Sequence, residues 1–173
     1  MSHPKYVRIA FPIDAEDAEY LGVRVEYLWA EVVGKNCYRL DGIPLYAWNV
    51  SADDVVLAYA HADASIEQQI DDVPVLLFSR VRKRSGNATA HVMAIRGRDP
   101  SLPLRQDPSC RAMLALCDAL ARTDCLVEAV DRPPTYLLSI SIPPTADRAE
   151  IEDLLDTGNL HEWIYNIQDH KRS

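Results

Sequence analysis

The sequence predicts an α+β fold in two parts: a small antiparallel β-barrel or curled sheet, followed by a ferredoxin-like βαββαβ half. Three observations lead to this prediction. Short runs with strand periodicity crowd the first half, turn residues separate them, and segments with helical periodicity appear in the second half. We assign residues 1–87 to an antiparallel β lobe and 88–173 to a ferredoxin-like α+β lobe, and expect the two to pack as one compact unit.

Strand signals follow one another closely through the first half. Residues 7–11 alternate between apolar and polar or small side chains, which is typical of a half-buried strand, and a polar stretch follows. The runs Val25–Val33 and Cys37–Leu40 flank a tight turn at 34–36 and should therefore form a hairpin. An exposed acidic loop or one short helix is predicted over 61–72. The further predicted strands are Leu45–Val50, Val55–Ala60, Val73–Arg84 and Ala88–Arg96.

Two helices are predicted in the second half. Asp107 and Pro108 suit the N-cap and the first helical position, and Asp147 with Glu150 forms a capping-box-like start. The expected core faces are Cys110, Met113, Leu114, Cys117 and Leu120 on the first helix, and Ile151, Leu154 and Leu155 on the second. Strands are predicted at Cys125–Val130, at Thr135–Ile142 and at the alternating residues Trp163, Tyr165 and Ile167. From residue 88 onward the order is strand, helix, strand, strand, helix, strand, which is the ferredoxin-like order.

Charge and cysteine use restrict the compartment and the partners. The chain has 26 acidic and 18 basic residues, a formal net charge of −8, which argues against broad binding to nucleic acid or to anionic membranes. No apolar run approaches the roughly 18 residues that span a bilayer, and the start lacks the apolar stretch of a signal peptide. The four cysteines include no CxxC pair, so we expect free thiols in a reducing cytoplasm.

Motifs of familiar enzyme chemistry are missing from the sequence. The five histidines form no metal-ligand spacing, and there is no GxGxxG, Walker or GxSxG motif. The adjacent carboxylates Asp53 and Asp54 would point to opposite faces of a strand, so a shared proton or metal is not expected, and we interpret Asp53 as a turn residue. We therefore predict no catalytic set, no metal and no cofactor.

A basic strip is predicted within an otherwise acidic chain. Arg80, Arg82 and Arg84 alternate on one face of a predicted strand, with Lys83 opposite. One interpretation is a site for a phosphate or an acidic segment of a partner. The other is a solvated sheet edge that charge protects from pairing.

Acidic residues gather at the second predicted helix and its exit. The candidate partner-binding residues are Glu150, Asp153, Asp156 and Glu162, with Trp163 or Tyr165 as an aromatic anchor. Two simpler interpretations stay open: the acids serve solubility, and Trp163 is a core residue of the last strand.

Several short segments occur in an order that resembles a bacterial family. They are Leu28–Glu31, Tyr38–Pro44, Asp54–Val56, Arg84–Gly86 with Thr89, Ile142–Pro144 with Ala146-Asp147, Trp163 and His170. In this order they are similar to the domain-of-unknown-function family numbered 4265, over roughly residues 5–170. That resemblance implies no activity and no catalytic residue.

Two function classes are favoured, ahead of a third, an enzyme of unfamiliar type. The first is a non-enzymatic protein-binding inhibitor: a bacterial immunity protein that neutralises a cognate toxin in the cytoplasm, where the partner would be a basic toxin domain. The alternative is a small-molecule-binding regulatory module, which rests on fold analogy. The identity of the neighbouring gene, a toxin or a metabolic enzyme, would separate them.

Overall fold

The structure, a computed structural model, describes residues 5–95, 106–132, 135–157 and 163–169. They divide into two units, one that ends at Asn87 and one that runs from Ala88 to Asp169. The described residues contain a six-stranded sheet, a four-stranded sheet and three short helices. The predicted mixed helix-and-strand class is therefore confirmed. No helix in the described part of the chain has the length and apolar character that crossing a membrane requires.

Unit 1 is a curled sheet whose ends meet. Its elements are β1 (Tyr6–Pro12), α1 (Ala15–Leu21), β2 (Val25–Gly34), β3 (Cys37–Leu40), β4 (Val55–Tyr59), β5 (Gln69–Ile70) and β6 (Val73–Lys83). The strand order is β1-β2-β3-β4-β6, and β6 pairs again with β1, so these five strands close into a ring with β5 added to β6. Five strands that alternate in direction start and finish pointing the same way. The closing pair, β1 with β6, is accordingly parallel, whereas the other ladders of the ring are antiparallel.

The inward residues of these strands fill the ring. Strand alternation places one set of side chains inside, and with Ala47 and Val50 of the loop after β3 they form one buried cluster. Within it the rings of Phe11 and Phe78 stack with centroids 4.7 Å apart. The buried members of the cluster are Val7, Ile9, Phe11, Leu28, Ala30, Leu40, Ala47, Val50, Val56 and Ala58. The sequence-predicted alternation of residues 7–11 is thus the inner face of β1.

The predicted strand Leu45–Val50 is wrong: this segment is an irregular loop. Glu26 on β2 accounts for the difference, because its carboxylate accepts the backbone N–H groups of Leu45, Tyr46 and Ala47 at 2.7, 3.0 and 2.6 Å. These donors are therefore satisfied by a side chain about twenty residues away in the chain instead of by a neighbouring strand. Apolar composition alone could not reveal this contact.

Asp54 holds the start of β4 to the end of β6. It is 1% exposed, and its carboxylate accepts hydrogen bonds from the backbone N–H groups of Ser51 at 3.1 Å and Ser85 at 2.7 Å. The guanidinium of Arg84 completes the set at 3.0 Å and also donates to the carbonyl oxygen of Asn49. Asp53 is exposed, with a φ of 64°, which fits its interpretation as a turn residue.

Two local features of unit 1 were not predicted. The polar stretch after β1 forms the short helix α1, which ends at Gly22 in the left-handed region, with φ 63°. The 61–72 region is largely a loop, which is one of the two forms predicted for it, but the small hairpin of β5 and β6 at its end was not predicted. The turn of this hairpin is Asp71-Asp72, and both residues have positive φ, as a type I′ turn requires.

Unit 2 consists of a four-stranded antiparallel sheet with two helices. Its elements are β7 (Ala88–Ile95), α2 (Pro108–Leu120), β8 (Leu126–Arg132), β9 (Thr135–Ile142), α3 (Arg148–Asp156) and β10 (Trp163–Gln168). The strand order across the sheet is β10-β7-β9-β8. Arg96, which was predicted to end β7, lies outside the described residues. Both predicted N-caps are confirmed: Asp107 accepts from the N–H groups of Ser109 and Cys110, and Asp147 accepts from those of Ala149 and Glu150.

The core of unit 2 forms between the helices and one face of the sheet. Residues Leu138, Ile140 and Ile142 of β9 share a buried cluster with Ile151 and Leu155 of α3, as predicted. On α2 the buried residues are Met113, Leu116 and Leu120. The prediction for Leu114 is wrong, since its side chain is 51% exposed. The positions 113, 116 and 120 form one helical stripe, and Leu114 lies about 100° away from its neighbour Met113 around the helix.

The four cysteines are free, as predicted. Burial is the main cause that raises the pKa of the Cys117 and Cys125 thiols. Both thiols therefore stay protonated at neutral pH, and a protonated thiol is a poor nucleophile.

Candidate partner-binding surface

The exposed side of α3 carries a concentration of carboxylates. Ile151 and Leu155 turn one face of the helix into the core, so the remaining positions face solvent. Asp153 and Asp156 are exposed there, together with Glu150 and Glu152. We call these four acids the α3 acidic surface. Glu150, Asp153 and Asp156 are spaced three residues apart and therefore lie in one row along the helix.

Arg148 is a cation within this acidic surrounding. Its Nε atom lies 2.7 Å from Glu152 Oε1, one helical turn further on. Its two terminal nitrogens donate to the two carboxylate oxygens of Asp169, at 3.0 and 3.3 Å, in a bidentate arrangement. Arg148 thereby ties the start of α3 to the residue that follows β10. Glu150 and Asp153 have no ion pair with any residue in the described part of the chain.

Tyr165 on β10 is joined directly to the α3 acidic surface. Its hydroxyl donates a hydrogen bond to Asp156 Oδ1, and the residue remains 36% exposed. This hydrogen bond is the largest cause that raises the pKa of Tyr165, followed by burial and by the nearby carboxylates. The ring is therefore held in one orientation beside the acids, and an ordered aromatic ring next to exposed charge suits a protein interface.

Of the predicted partner-binding residues, the structure brings four together. Glu150, Asp153, Asp156 and Tyr165 share the exposed side of α3 and the adjacent strand. Glu162 lies outside the described residues. Trp163 is described by its backbone only: it pairs with Ala94 in the ladder of β10 with β7.

Sequence reasoning missed the role of Arg148 and Asp169 at this surface. Arg148 and Glu152 are four residues apart, so their helical pairing could have been found from spacing. The contact with Asp169 is 21 residues distant, and no local pattern indicates it.

The predicted basic strip is rearranged by the backbone of β6. The register between β4 and β6 shifts twice, so that Ser79 and Arg82 are extra residues, each forming a bulge. Each bulge breaks the two-residue alternation, and Arg80, Arg82 and Lys83 all become exposed. This corrects the prediction that Lys83 lies opposite the arginines. Arg84 lies beyond the strand and binds Asp54.

No group of three or more histidine, cysteine or acidic side chains in the described ranges is arranged to hold a metal ion.

The fold and the surface together define a mixed helix-and-strand protein with an exposed acidic surface beside an oriented tyrosine. The chain belongs to the family described as Domain of unknown function (DUF4265), whose sequence model matches residues 26–165. It is similar in structure to a hypothetical protein from Neisseria gonorrhoeae, with a TM-score of 0.61, 18% sequence identity and coverage of 100% of both chains. At that identity the likeness concerns the fold alone. No curated protein matches the chain.

Tyr165 is expected to ionise above the ordinary tyrosine range because its neutral hydroxyl donates to Asp156. A folded-state pKa above the unfolded value means that this bond stabilises the protein below pH 10.0, the ordinary tyrosine pKa, and is lost as pH rises through the folded pKa. The measurement is the phenolate absorbance of the protein minus that of Tyr165→Phe. In an Asp156→Ala background the pKa should fall, whereas Glu150→Gln should leave it in place. An unchanged midpoint in Asp156→Ala would show that the hydrogen bond is absent.

Proposed function

We propose that this protein is a non-enzymatic inhibitor that binds another protein: a bacterial immunity protein that neutralises a cognate toxin in the cytoplasm. The observation that carries the proposal is the α3 acidic surface with Tyr165 held against it. Many toxins that attack nucleic acids or nucleotides are basic because their substrates are anionic. An acidic surface attracts such a domain from a distance, and an oriented aromatic ring can supply the close contact.

The arrangement of unit 2 suits this role. We assign it to the ferredoxin-like class, on the support of its element order and of the strand order β10-β7-β9-β8. In such a unit α3 is anchored to the sheet through Ile151 and Leu155, so its outer surface is presented on a rigid element. A preformed surface loses little conformational entropy on binding, which favours the tight association that inhibition of a toxin needs.

The experiment begins with co-expression of the chain and the product of its neighbouring gene. Rescue of growth by the chain supports inhibition, and stopped-flow mixing then measures the association rate against ionic strength. In the variant Glu150→Lys, Asp153→Lys, Asp156→Lys the association rate should fall by at least about tenfold at low salt, and its salt dependence should weaken. Tyr165→Ala should instead raise the dissociation rate, because the ring makes the short-range contact.

A matched control separates local from overall charge. Glu19→Lys, Glu67→Lys, Asp118→Lys reverses three exposed acids elsewhere. Each triple change adds six charges, so the net charge goes from −8 to −2 in both variants. The control should bind almost as fast as the unchanged protein. Equal rates for the two variants would remove the α3 acidic surface from the interface, and a non-toxic neighbour would remove the inhibitor proposal.

The alternative function is a small-molecule-binding regulatory module, and one depression in unit 1 favours it. This depression, of about 710 Å³, lies beside α1 and is lined by Ile13, Ala15, Ala18, Glu19, Gly22 and Arg24. Its lining combines apolar side chains with one acid and one base, a composition that can orient a small polar ligand. A metabolic enzyme as the neighbouring gene, together with a ligand-induced rise in melting temperature that Arg24→Ala abolishes, would favour this function.

A further inference from the structure

Three exposed cations gather on the last residues of β6, and we call Arg80, Arg82 and Lys83 the basic face. The two bulges of β6 create it. Between Phe78 and Val81, which both pack against the core of unit 1, two residues instead of one face outward. The second bulge exposes Arg82 together with Lys83. Three positive charges therefore project within four successive residues, about 10 Å of strand.

The basic face is not neutralised from within the described part of the chain. The side chains of Arg80, Arg82 and Lys83 have no hydrogen bond or ion pair with any described residue. The neighbouring Arg84, in contrast, is paired with Asp54, and Arg39 on β3 is paired with Glu31. Adjacent like charges repel, so a bound anion would lower the energy of this surface. Asp54, the buried acid that accepts from the end of β6, is already paired with Arg84.

The strand next to the basic face adds an apolar component. Val56 and Ala58 of β4 point into the core, so Val55, Leu57 and Tyr59 lie on the opposite face of the strand. Val55 pairs with Lys83 and is half-buried, Leu57 pairs with Arg80 but is only 7% exposed, and Tyr59 is 45% exposed further along. In an extended peptide that alternates acidic and apolar residues, all the acids lie on one face, which can contact the basic face.

We propose that the basic face binds an extended acidic segment of a partner protein. A nucleic acid fits the observations less well, because three cations are fewer than the 6–10 phosphate contacts of a typical binder and the chain as a whole carries −8. We expect the segment to carry several carboxylates, because three unpaired cations lie within four successive residues of β6.

Protection of the sheet edge is the competing explanation. Among the described residues β6 pairs with β1 only over Val75–Leu77, and its last part, from Phe78 to Lys83, has β4 as its single neighbour. Charge and bulges both keep such an edge from pairing with another chain. Since the two bulges already disturb this edge, three unpaired cations exceed what protection requires.

The test uses fluorescence polarisation with a labelled peptide of about ten residues that alternates Glu and Val, long enough to follow β6. The unchanged protein should bind it, with an affinity that falls as salt rises. Arg80→Gln, Arg82→Gln, Lys83→Gln should weaken binding by about tenfold or more, the effect expected for three surface ion pairs. The matched control, Lys5→Gln, Arg111→Gln, Arg122→Gln, removes three exposed cations elsewhere and should bind within about twofold of the unchanged protein.

Several outcomes would overturn the proposal. Equal binding by both triple variants places the peptide elsewhere. Failure of the unchanged protein to bind the peptide, together with self-association of the basic-face variant on size exclusion, establishes edge protection. Tighter binding of an oligothymidylate of the same length than of the peptide makes the ligand a nucleic acid. A peptide that alternates Lys and Val provides a test on the unchanged protein, without any variant. If it binds, charge does not determine recognition. The basic face and the α3 acidic surface lie in different units, so each proposal can fail without the other.

Discussion

Asp54→Ala is expected to destabilise unit 1 by about 3–5 kcal/mol, the range found when one partner of a buried ion pair is removed. Asp54 is 1% exposed and accepts three hydrogen bonds, two from backbone N–H groups and one from Arg84. Alanine leaves the N–H groups of Ser51 and Ser85 without an acceptor, and buried donors without partners are costly. It also releases the loop before β4 from the end of β6.

Equilibrium urea unfolding measures this effect, and tryptophan fluorescence suits it because Trp29 and Trp48 lie in unit 1. Asp53→Gly is the matched control: it removes the same charge at the adjacent, exposed position, and glycine accepts the positive φ found there. It should change stability by less than about 1 kcal/mol. Arg84→Met should cost less than Asp54→Ala, because the carboxylate would keep its two backbone donors. Similar costs for Asp53→Gly and Asp54→Ala would contradict the described hydrogen bonds.

Leu155→Ala is the second large effect, with an expected cost of about 2–5 kcal/mol to unit 2. Leu155 is fully buried in the cluster that α3 shares with β9, and truncation leaves a cavity there. The neighbouring Leu154 packs against the same cluster but is only partly buried, so Leu154→Ala should cost clearly less. The two variants have identical chemistry on the same helix, and burial alone distinguishes them.

Thermal unfolding followed by circular dichroism compares the two leucine variants. In a domain of 60–100 residues each kcal/mol lowers the midpoint by roughly 4–8 °C, so the expected difference is easily measured. Equal midpoints for Leu154→Ala and Leu155→Ala would mean that α3 is rotated relative to the position described here.

Local patterns predicted the elements whose determinants lie close together in the chain. The N-caps Asp107 and Asp147 act on residues two or three positions away, and the sequence therefore identified both helix starts. The segment Leu45–Val50 has strand-like composition, but the distant Glu26 binds its backbone, and a local window does not include that residue. The prediction for Leu114 was wrong for a similar reason. The packing of α2 on the sheet decides which of its many apolar residues are buried, and a local pattern does not contain that information.

For the candidate surfaces, too, local patterns predicted only the features that depend on residues close together in the chain. The row of acids on α3 follows from helical spacing and was predicted from the sequence. The contact of Tyr165 with Asp156 joins a strand to a helix, so proximity in sequence indicated it only loosely. The basic face could not be predicted in its actual form. A bulge is a property of the pairing between two strands and cannot be recognised from the sequence of one strand alone.

The parallel seam of unit 1 has a consequence for the order in which the chain is made. Arg8, Ile9 and Ala10 pair with Val75, Leu76 and Leu77, so the first strand meets its partner only after nearly all of the unit has been synthesised. Until then the emerging strands β1 to β4 form a sheet with two unpaired edges. Contacts between residues so distant in the chain also form slowly. The unpaired edge strands of a nascent chain can pair with strands of other chains, which makes this interval the period of greatest aggregation risk. Ribosome-associated chaperones would therefore protect this protein most effectively while residues 60–80 are leaving the exit tunnel.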